Sequence, residues 1–412
     1  GFQASWVVTN EPWMAGSGFL NYLRLSAGVD VSGNDDLPYY ATRSYFASSD
    51  YMGQASGLAI AGIGNEKIQW ERTRRVNVGV DANLLDNRLG VRFNYFRSAT
   101  DHLLMWQEMS FLSGLDKTWG NGGKLENRGF DVEATGVVWA SPSWQWQVGA
   151  SVGHYKNEVT ALPDGQQYMD TEILGATVRT EIGRPANLFY GYKTKGVFAT
   201  SAEAQAAGLY VRDANGVDRT AFEAGDVHFV DLDGDHFVTE ADRTVIGDPN
   251  PDIYGNIFTT VQYERFRLDV RFNYSLGNDI YNYMRQQLES GSRFMNQTTA
   301  LARRWQVEGQ QTDIPRLSFQ DPMGNSRFSD RWIEDGSYLR LKTVTLSYDL
   351  PISSTFLQGL QFWVQANNVF TLSRYLGADP EGAALSAVLG QGIDAGSVPQ
   401  SRNFMVGIKI SL

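Results

Sequence analysis

Several features are missing from this chain of 412 residues, and each absence excludes a class of protein. It has no cysteine, which excludes a disulfide scaffold, a zinc–thiolate centre and an iron–sulfur cluster. Its 35 Lys and Arg are outnumbered by 46 Asp and Glu and form no basic block, so we expect no nucleic-acid partner. Apolar runs fall far short of the ~18 residues of a transmembrane helix. The chain is therefore either soluble or a membrane protein built from strands.

What the chain does contain is a period-two alternation of apolar and polar residues. Val76, Val78 and Val80, for example, alternate with Asn77 and Gly79. Such alternation is typical of a strand with two different faces. The segments run for about 10–14 residues, close to the length of a tilted transmembrane strand and about twice that of an ordinary one. Because their polar faces carry Gly, Ser, Asn, Asp and Arg, they favour the wet lumen of a barrel over a sandwich core.

The pattern predicts eleven strands. Their approximate ranges are 2–9, 19–30, 72–84, 89–99, 125–138, 144–155, 254–263, 267–277, 336–349, 360–370 and 403–412. Short connections, such as Asp86-Asn87, alternate with long ones, of which the longest runs from about 156 to 253. This alternation is typical of outer-membrane barrels, whose periplasmic turns are short and whose extracellular loops are long. The sequence therefore predicts an all-β fold, a transmembrane antiparallel β-barrel in the bacterial outer membrane.

The strand count also predicts that the barrel is incomplete. Bacterial single-chain barrels have an even number of strands, and eleven is half of twenty-two. The sequence begins at Gly1 rather than Met, inside an alternating segment. We therefore expect residues 1–412 to be the C-terminal portion of one longer barrel domain.

The most specific local motif is the acidic segment 231–242, which reads DLDGDHFVTEAD. Its oxygen-bearing residues fall at the ligand positions of a calcium-binding loop. These are Asp231, Asp233, Asp235, Thr239 and Asp242, with the backbone carbonyl of Phe237 as a further ligand. We expect a structural Ca²⁺, with Mg²⁺ as the alternative, that stiffens the long extracellular region 156–253.

Two residues of this motif depart from the usual calcium loop. His236 occupies the position where glycine ordinarily makes the sharp turn, although Gly234 precedes it, and Asp242 replaces the usual bidentate Glu. The alternative interpretation of the segment is a solvated acidic turn without a metal.

Other candidate sites in the sequence are weaker. The segment Gly149–Gly153 (GASVG) matches the nucleophile-elbow pattern, but it lies in the middle of an alternating strand with no helix after it. The four histidines share no ligand spacing, so they indicate neither a metal–histidine site nor a catalytic triad. We therefore expect no enzymatic activity, and the sequence leaves the substrate-binding residues unknown.

Aromatic residues in the loops and charges on the polar strand faces each have two interpretations. The aromatics would stack against sugar rings or grip peptides, or they would simply pack among the loops; they are Tyr39, Tyr40, Tyr45, Phe46, Tyr51, Phe189, Tyr190, Tyr192, Tyr281 and Tyr283. The charges would contact a plug or a substrate, or they would be the polar wall of a hydrated pore; they are Asp131, Glu133, Asp269 and Arg271.

A series of short motifs extends along the whole chain. The motifs are WVVTNEPW at 6–13 with FLNYLRL at 19–25, IQWE at 68–71 before NVGVD at 77–81, NRGFDVE at 127–133, GRP at 183–185 with FYGY at 189–192, IEDGSYLRLK at 333–342, NNVF at 367–370 and GADPE at 377–381. In this order they resemble the C-terminal barrel half of the SusC/RagA family of TonB-dependent transporters.

That resemblance implies a 22-stranded barrel of a Bacteroidetes-type bacterium, whose plug domain and TonB box lie outside this segment. It implies active import of oligosaccharides or peptides, a SusD-like surface lipoprotein and energy from the TonB–ExbB–ExbD complex. The barrel would sit in the outer-membrane bilayer among lipopolysaccharide. The alternatives are a passive porin and a surface receptor or adhesin, and a secreted all-β carbohydrate enzyme is a more distant one.

Overall fold

A computed structural model describes residues 1–14, 16, 18–51, 55–110, 112, 114–115, 117–212, 219–352, 356–382 and 390–411. The chain divides into two compact units. The first unit comprises Gly1–Met169 and Thr180–Ala186, and the second comprises Asp170–Arg179 and Asn187–Leu412.

The dominant element is an antiparallel sheet of eleven strands that follow one another in chain order. Six lie in the first unit: Phe2–Val7, Leu20–Asn34, Glu71–Leu84, Leu89–Asp101, Lys124–Ala140 and Trp144–Ala161. Five lie in the second: Ile253–Tyr263, Phe266–Leu276, Tyr338–Leu350, Gly359–Ser373 and Asn403–Ser411. Each corresponds to one predicted strand, so the predicted number, order and antiparallel pairing are confirmed.

Connections between these strands alternate in length as predicted. Tight turns at 85–88, 141–143 and 264–265 face one end of the sheet, and long loops leave from the other. In the first of these turns Asp86 and Asn87 adopt left-handed backbone with φ of 57° and 61°, a conformation that Asp and Asn tolerate better than most residues. The turns mark the periplasmic end, and the long loops mark the extracellular end.

Register places the apolar residues of neighbouring strands in continuous rows on one side of the sheet. Leu25, Val80, Phe93, Val132 and Val152 are successive partners across five strands of the first unit. We call this side the outer face, because a lipid environment requires an apolar exterior. The opposite side, the lumen face, carries the intervening polar residues.

The loops contain short elements that the period-two pattern did not predict. Their strands are Tyr45–Tyr51, Ala55–Gly62, Leu104–Glu108, Lys117–Asn121, Tyr168–Ile173, Ala176–Glu181, Leu188–Tyr192, Thr194–Val197, Tyr210–Arg212, Arg219–Ala221, Val227–Phe229, Arg243–Gly247, Asp279–Asn282, Ile333–Asp335 and Ile393–Asp394. Their α-helices are Ser201–Ala207 and Tyr283–Glu289, and their 3₁₀ turns are Val8–Asn10, Pro12–Met14, Pro163–Gly165, Glu240–Asp242, Thr299–Arg303 and Asp330–Trp332.

The helices are short because capping residues bound them closely. The hydroxyl of Thr200 accepts a hydrogen bond from the Glu203 N–H at the start of Ser201–Ala207, and Gly208 ends that helix with a φ of 61°. Across the described ranges, no helix is long and apolar enough to cross a membrane.

The loop segments of the second unit build two hydrophobic clusters of their own. The first, cluster A, comprises Phe198, Ala204, Leu209, Val211, Phe222, Val227, Phe229, Val238 and Met323. The second, cluster B, comprises Ala176, Val178, Phe189, Tyr281, Phe328, Trp332 and Ile393. These loops therefore fold around buried cores, and the acidic loop 231–242 borders the first of them through Val238.

Candidate functional sites and family

The structure brings three carboxylates of the acidic loop together. Ligand oxygens of Asp231, Asp233 and Asp235 all lie within 4.8 Å of one another. The loop is held between two short strands, Val227–Phe229 and Arg243–Gly247, so both of its ends are anchored. Hard carboxylate oxygens at this spacing suit Ca²⁺ or Mg²⁺.

The loop is shaped by its own backbone. The carboxylate of Asp231 accepts hydrogen bonds from the N–H groups of Gly234 (2.7 Å) and His236 (3.0 Å). His236 has a φ of 67°, the left-handed turn that glycine ordinarily supplies at this position, and Gly234 makes a second one at 77°. Although His236 replaces the usual glycine, the backbone therefore still makes the turn of a calcium-binding loop.

Asp242 stands apart from the three clustered carboxylates. It is fully buried, and its two oxygens accept hydrogen bonds from the N–H groups of Leu232 and Thr239, each at 2.8 Å. The hydroxyl of Thr239 accepts one from the Ala241 N–H at 3.2 Å. In this conformation Asp242 closes the loop, and its role as a ligand stays a prediction, as do those of Thr239 and the carbonyl of Phe237.

Electrostatics within the loop favour a cation. Burial opposes ionisation of Asp231, but the N–H groups of His236 and Gly234 outweigh it and lower the pKa of its carboxyl. For Asp233, the N–H of Asp235 acts to lower the pKa, yet desolvation and the neighbouring carboxylates together raise it. A bound cation would relieve this repulsion among like charges.

The lumen face of the first unit carries a row of alternating charges. Arg24, Asp81, Arg92 and Glu133 are successive partners across four strands. Asp81 accepts hydrogen bonds from Arg24 at 2.6 Å and from Arg92 at 2.9 Å, and Arg92 also reaches Glu133 at 3.1 Å. Glu133 is therefore part of an ion-paired wall.

Asp269 and the GASVG segment likewise lie within strands of the large sheet. Asp269 accepts hydrogen bonds from Arg267 at 2.8 Å and from the Thr260 hydroxyl at 2.6 Å. Ser151 lies inside the strand Trp144–Ala161 as the partner of Glu133, so the GASVG segment is strand and not a strand-to-helix elbow.

The loop aromatics differ widely in exposure. Phe189 and Tyr281 are completely buried in cluster B, so they pack among the loops. Tyr39 and Tyr40, in contrast, are 100% and 66% exposed and remain available to a ligand or partner. Within the segment 51–56, which includes Tyr51, side chains lie outside the described residues.

Sequence reasoning missed a buried carboxylate in the extracellular loops. Asp226 is completely buried and accepts two hydrogen bonds from Arg316, at 2.9 Å each, and one from Asn325 at 2.9 Å. The partners lie about ninety residues away in the chain, so only the fold brings them together. The alternation of Val227 and Phe229 could have indicated a short buried strand directly after Asp226, and so the burial of that carboxylate.

Known proteins are similar to this chain in both sequence and fold. The family model of the TonB dependent receptor-like β-barrel matches residues 16–215. TonB-dependent receptor P3 of Formosa agariphila is 28% identical over 98% of this chain and 41% of its own length. TonB-dependent receptor SusC of Bacteroides thetaiotaomicron is 24% identical over 98% of this chain and 39% of its own. The chain thus spans about two fifths of the length of these curated relatives.

A solved structure of the RagAB peptide transporter superposes on 99% of this chain and 43% of its own, with a TM-score of 0.78 and 25% identity. Together these matches identify an outer-membrane β-barrel that is similar to the TonB-dependent receptors. Within that class, the chain is similar to SusC and to the RagAB transporter over nearly its whole length.

Proposed function

We propose that the protein containing this barrel segment imports a nutrient across the outer membrane with energy supplied through TonB. The observation that carries the proposal is the eleven-stranded sheet, with its apolar outer face, charged lumen face and strict alternation of short turns and long loops. The similarity of nearly the whole chain to TonB-dependent receptors supports it.

The proposed substrates are oligosaccharides or peptides, and the proposed partners are a SusD-like surface lipoprotein and the TonB–ExbB–ExbD complex. The solved relative is described as a peptide transporter. The exposed aromatics Tyr39 and Tyr40, on the loop after Leu20–Asn34, supply flat apolar surface of the kind that contacts either substrate class.

Deletion of the full-length gene in the native bacterium tests this function. We expect loss of growth or uptake on one oligosaccharide or peptide mixture as the sole nutrient, restored by the intact gene. Restoration should fail when TonB is absent or the proton motive force is collapsed.

Two other outcomes would select the alternatives. Uptake that persists without TonB would indicate a passive porin. Normal uptake of every nutrient tested, together with loss of attachment or ligand capture at the cell surface, would indicate a receptor or adhesin.

We propose further that loop 231–242 holds a structural Ca²⁺, or Mg²⁺, through Asp231, Asp233 and Asp235. The carboxylates already converge, and their mutual repulsion disappears when a cation lies between them. The cation would supply rigidity, since six to eight oxygen ligands from one loop fix its backbone.

Replacing two of these ligands should greatly weaken the binding. For the full-length protein with Asp231→Asn and Asp233→Asn, we expect Ca²⁺ affinity to fall on the order of a hundredfold, because the charge and number of oxygen ligands set affinity. Calorimetric titration of metal-stripped protein measures it, and hydrogen exchange of residues 231–242 should rise on chelation.

Glu240→Gln is the control, because it removes one negative charge from the same loop at a residue that is 85% exposed and pairs with Arg243. Its affinity should match the unmodified protein. An unmodified protein that binds neither cation in the titration would refute the site.

A further inference from the structure

The extracellular end of the outer face carries an unusual concentration of positive charge. Above the apolar rows, the outward positions of four adjacent strands in the first unit become charged. The cationic side chains are Arg72, Arg74, Arg97, Lys124, Arg128 and Lys156, and the acidic ones are Asp101, Glu126 and Glu158. Six cations against three acids is the reverse of the chain as a whole, whose net charge is −11. We call this group the outer basic patch.

Register fixes the position of the patch relative to the lipid-facing surface. Tyr95, Phe130 and His154 are successive partners in one row, and Phe130 contacts His154 with a ring separation of 5.6 Å. The next row toward the extracellular end consists of Arg97 and its partners Arg128 and Lys156. An aromatic row with cations directly above it is the profile of a membrane interface, where rings lie at head-group level and cations reach the head groups.

Orientation of the patch is set by the strand alternation. Arg72 and Arg74 share the parity of Val76, Val78 and Val80 on their strand, so they point outward with the lipid-facing residues. The lumen-facing Asp81 has the opposite parity. The patch therefore lies outside the pore, at the level of the extracellular leaflet.

The cations of the patch are only partly neutralised. The single carboxylate of Asp101 forms salt bridges with three of them: Arg72 at 3.6 Å, Arg74 at 3.4 Å and Lys124 at 3.9 Å. Arg97 is paired with Glu126 at 2.8 Å. In the part of the chain that the structure describes, exposed Arg128 and Lys156 form no salt bridge, although Arg128 interacts electrostatically with Glu126 at longer range, so the patch keeps a net positive charge.

We propose that the outer basic patch binds the phosphate groups of an anionic lipid in the outer leaflet, a phosphorylated glycolipid of the lipid A type. In a lipid or in free phosphate alike, the phosphate oxygens would accept hydrogen bonds from the exposed guanidinium and ammonium groups of the patch. We assign a lipid because the patch is continuous with the apolar and aromatic rows on which acyl chains lie. One lipid molecule can therefore contact the patch with its phosphates and the rows with its acyl chains. A free phosphate ion would contact only the cations of the patch and not the apolar rows.

Native mass spectrometry of the full-length protein in detergent, titrated with diphosphorylated lipid A, tests the proposal. The triple variant Arg97→Gln, Arg128→Gln and Lys156→Gln should bind it about a hundredfold more weakly, since each cation near a membrane surface contributes about fivefold. Arg88→Gln is the control, because exposed Arg88 lies in the periplasmic turn before Leu89–Asp101, at the end of that strand opposite to Arg97, and lipid binding by this variant should be unchanged.

A second measurement keeps the test decisive if the triple variant assembles poorly. Unmodified protein should bind dephosphorylated lipid A at least tenfold more weakly than the diphosphorylated form, and excess inorganic phosphate should displace the lipid only slightly. Equal binding of both lipids would overturn the proposal. So would complete displacement by inorganic phosphate, or a triple variant that binds normally.

Discussion

Replacing Asp226 by alanine should cost about 3–5 kcal/mol of local stability in the extracellular loops, because it leaves Arg316 and Asn325 without the buried carboxylate that they share. The amide of Val227, which donates to the side chain of Asn325 at 2.8 Å, reports on this region. Its opening free energy in the full-length protein, measured by native-state hydrogen exchange, should fall by that amount.

Glu223→Ala provides the matched control for Asp226. Glu223 also pairs with Arg316, at 2.8 Å, but its side chain is 68% exposed. An exposed ion pair contributes about 0–1 kcal/mol, so this variant should change the Val227 opening free energy by no more than that. If both variants gave equally small changes, the Asp226 network would not stabilise the loops.

Trp332→Ala should be comparably destabilising, by about 3–5 kcal/mol, because it leaves a large cavity in cluster B. Trp332 is completely buried, donates a hydrogen bond to the carbonyl of Arg327 at 3.1 Å, and lies under the guanidinium of Arg331 at 4.8 Å. Burial beside Arg285 lowers the pKa of Arg331 to about 10, so the ring also offers a favourable surface to a poorly solvated cation.

The amide of Tyr281, bonded to the carbonyl of Gly392 at 2.8 Å, reports on cluster B. Its opening free energy should fall in Trp332→Ala. Phe294→Ala is the control, because Phe294 is 94% exposed and its ring lies 5.1 Å from that of Phe319, so its loss should cost about 1 kcal/mol or less. A Trp332 variant with unchanged exchange at Tyr281 would show that the cluster is not a cooperative unit.

The barrel strands could be predicted from the sequence because lipid and water impose opposite demands on alternate residues. The pattern weakens where the lipid ends. Leu20–Asn34 was predicted to end at 30, yet Ser32, Gly33 and Asn34 continue to pair with the next strand. These residues lie beyond the apolar outer row, so no alternation marks them.

The loop cores could not be predicted in the same way. Phe189, Tyr281, Trp332 and Ile393 meet in cluster B from four separate parts of the chain, and each belongs to an element too short to show a period. Loop 231–242 is the exception, because its predicted ligands lie within one short segment and their spacing can be recognised from the sequence. Even there, the burial of Asp242 and its bonds to Leu232 and Thr239 depend on the fold.

The charge row of Arg24, Asp81, Arg92 and Glu133 has a consequence for the electrostatic potential at the lumen face. Its two cations and two anions sum to zero, and each charge already has a neighbour of opposite sign within 3.1 Å. An ionic group beside this row therefore meets a polar but electrically balanced surface, which neither attracts it strongly nor repels it. The row therefore acts as a set of short dipoles whose fields cancel with distance, so a charge farther from the wall experiences almost no net potential from it.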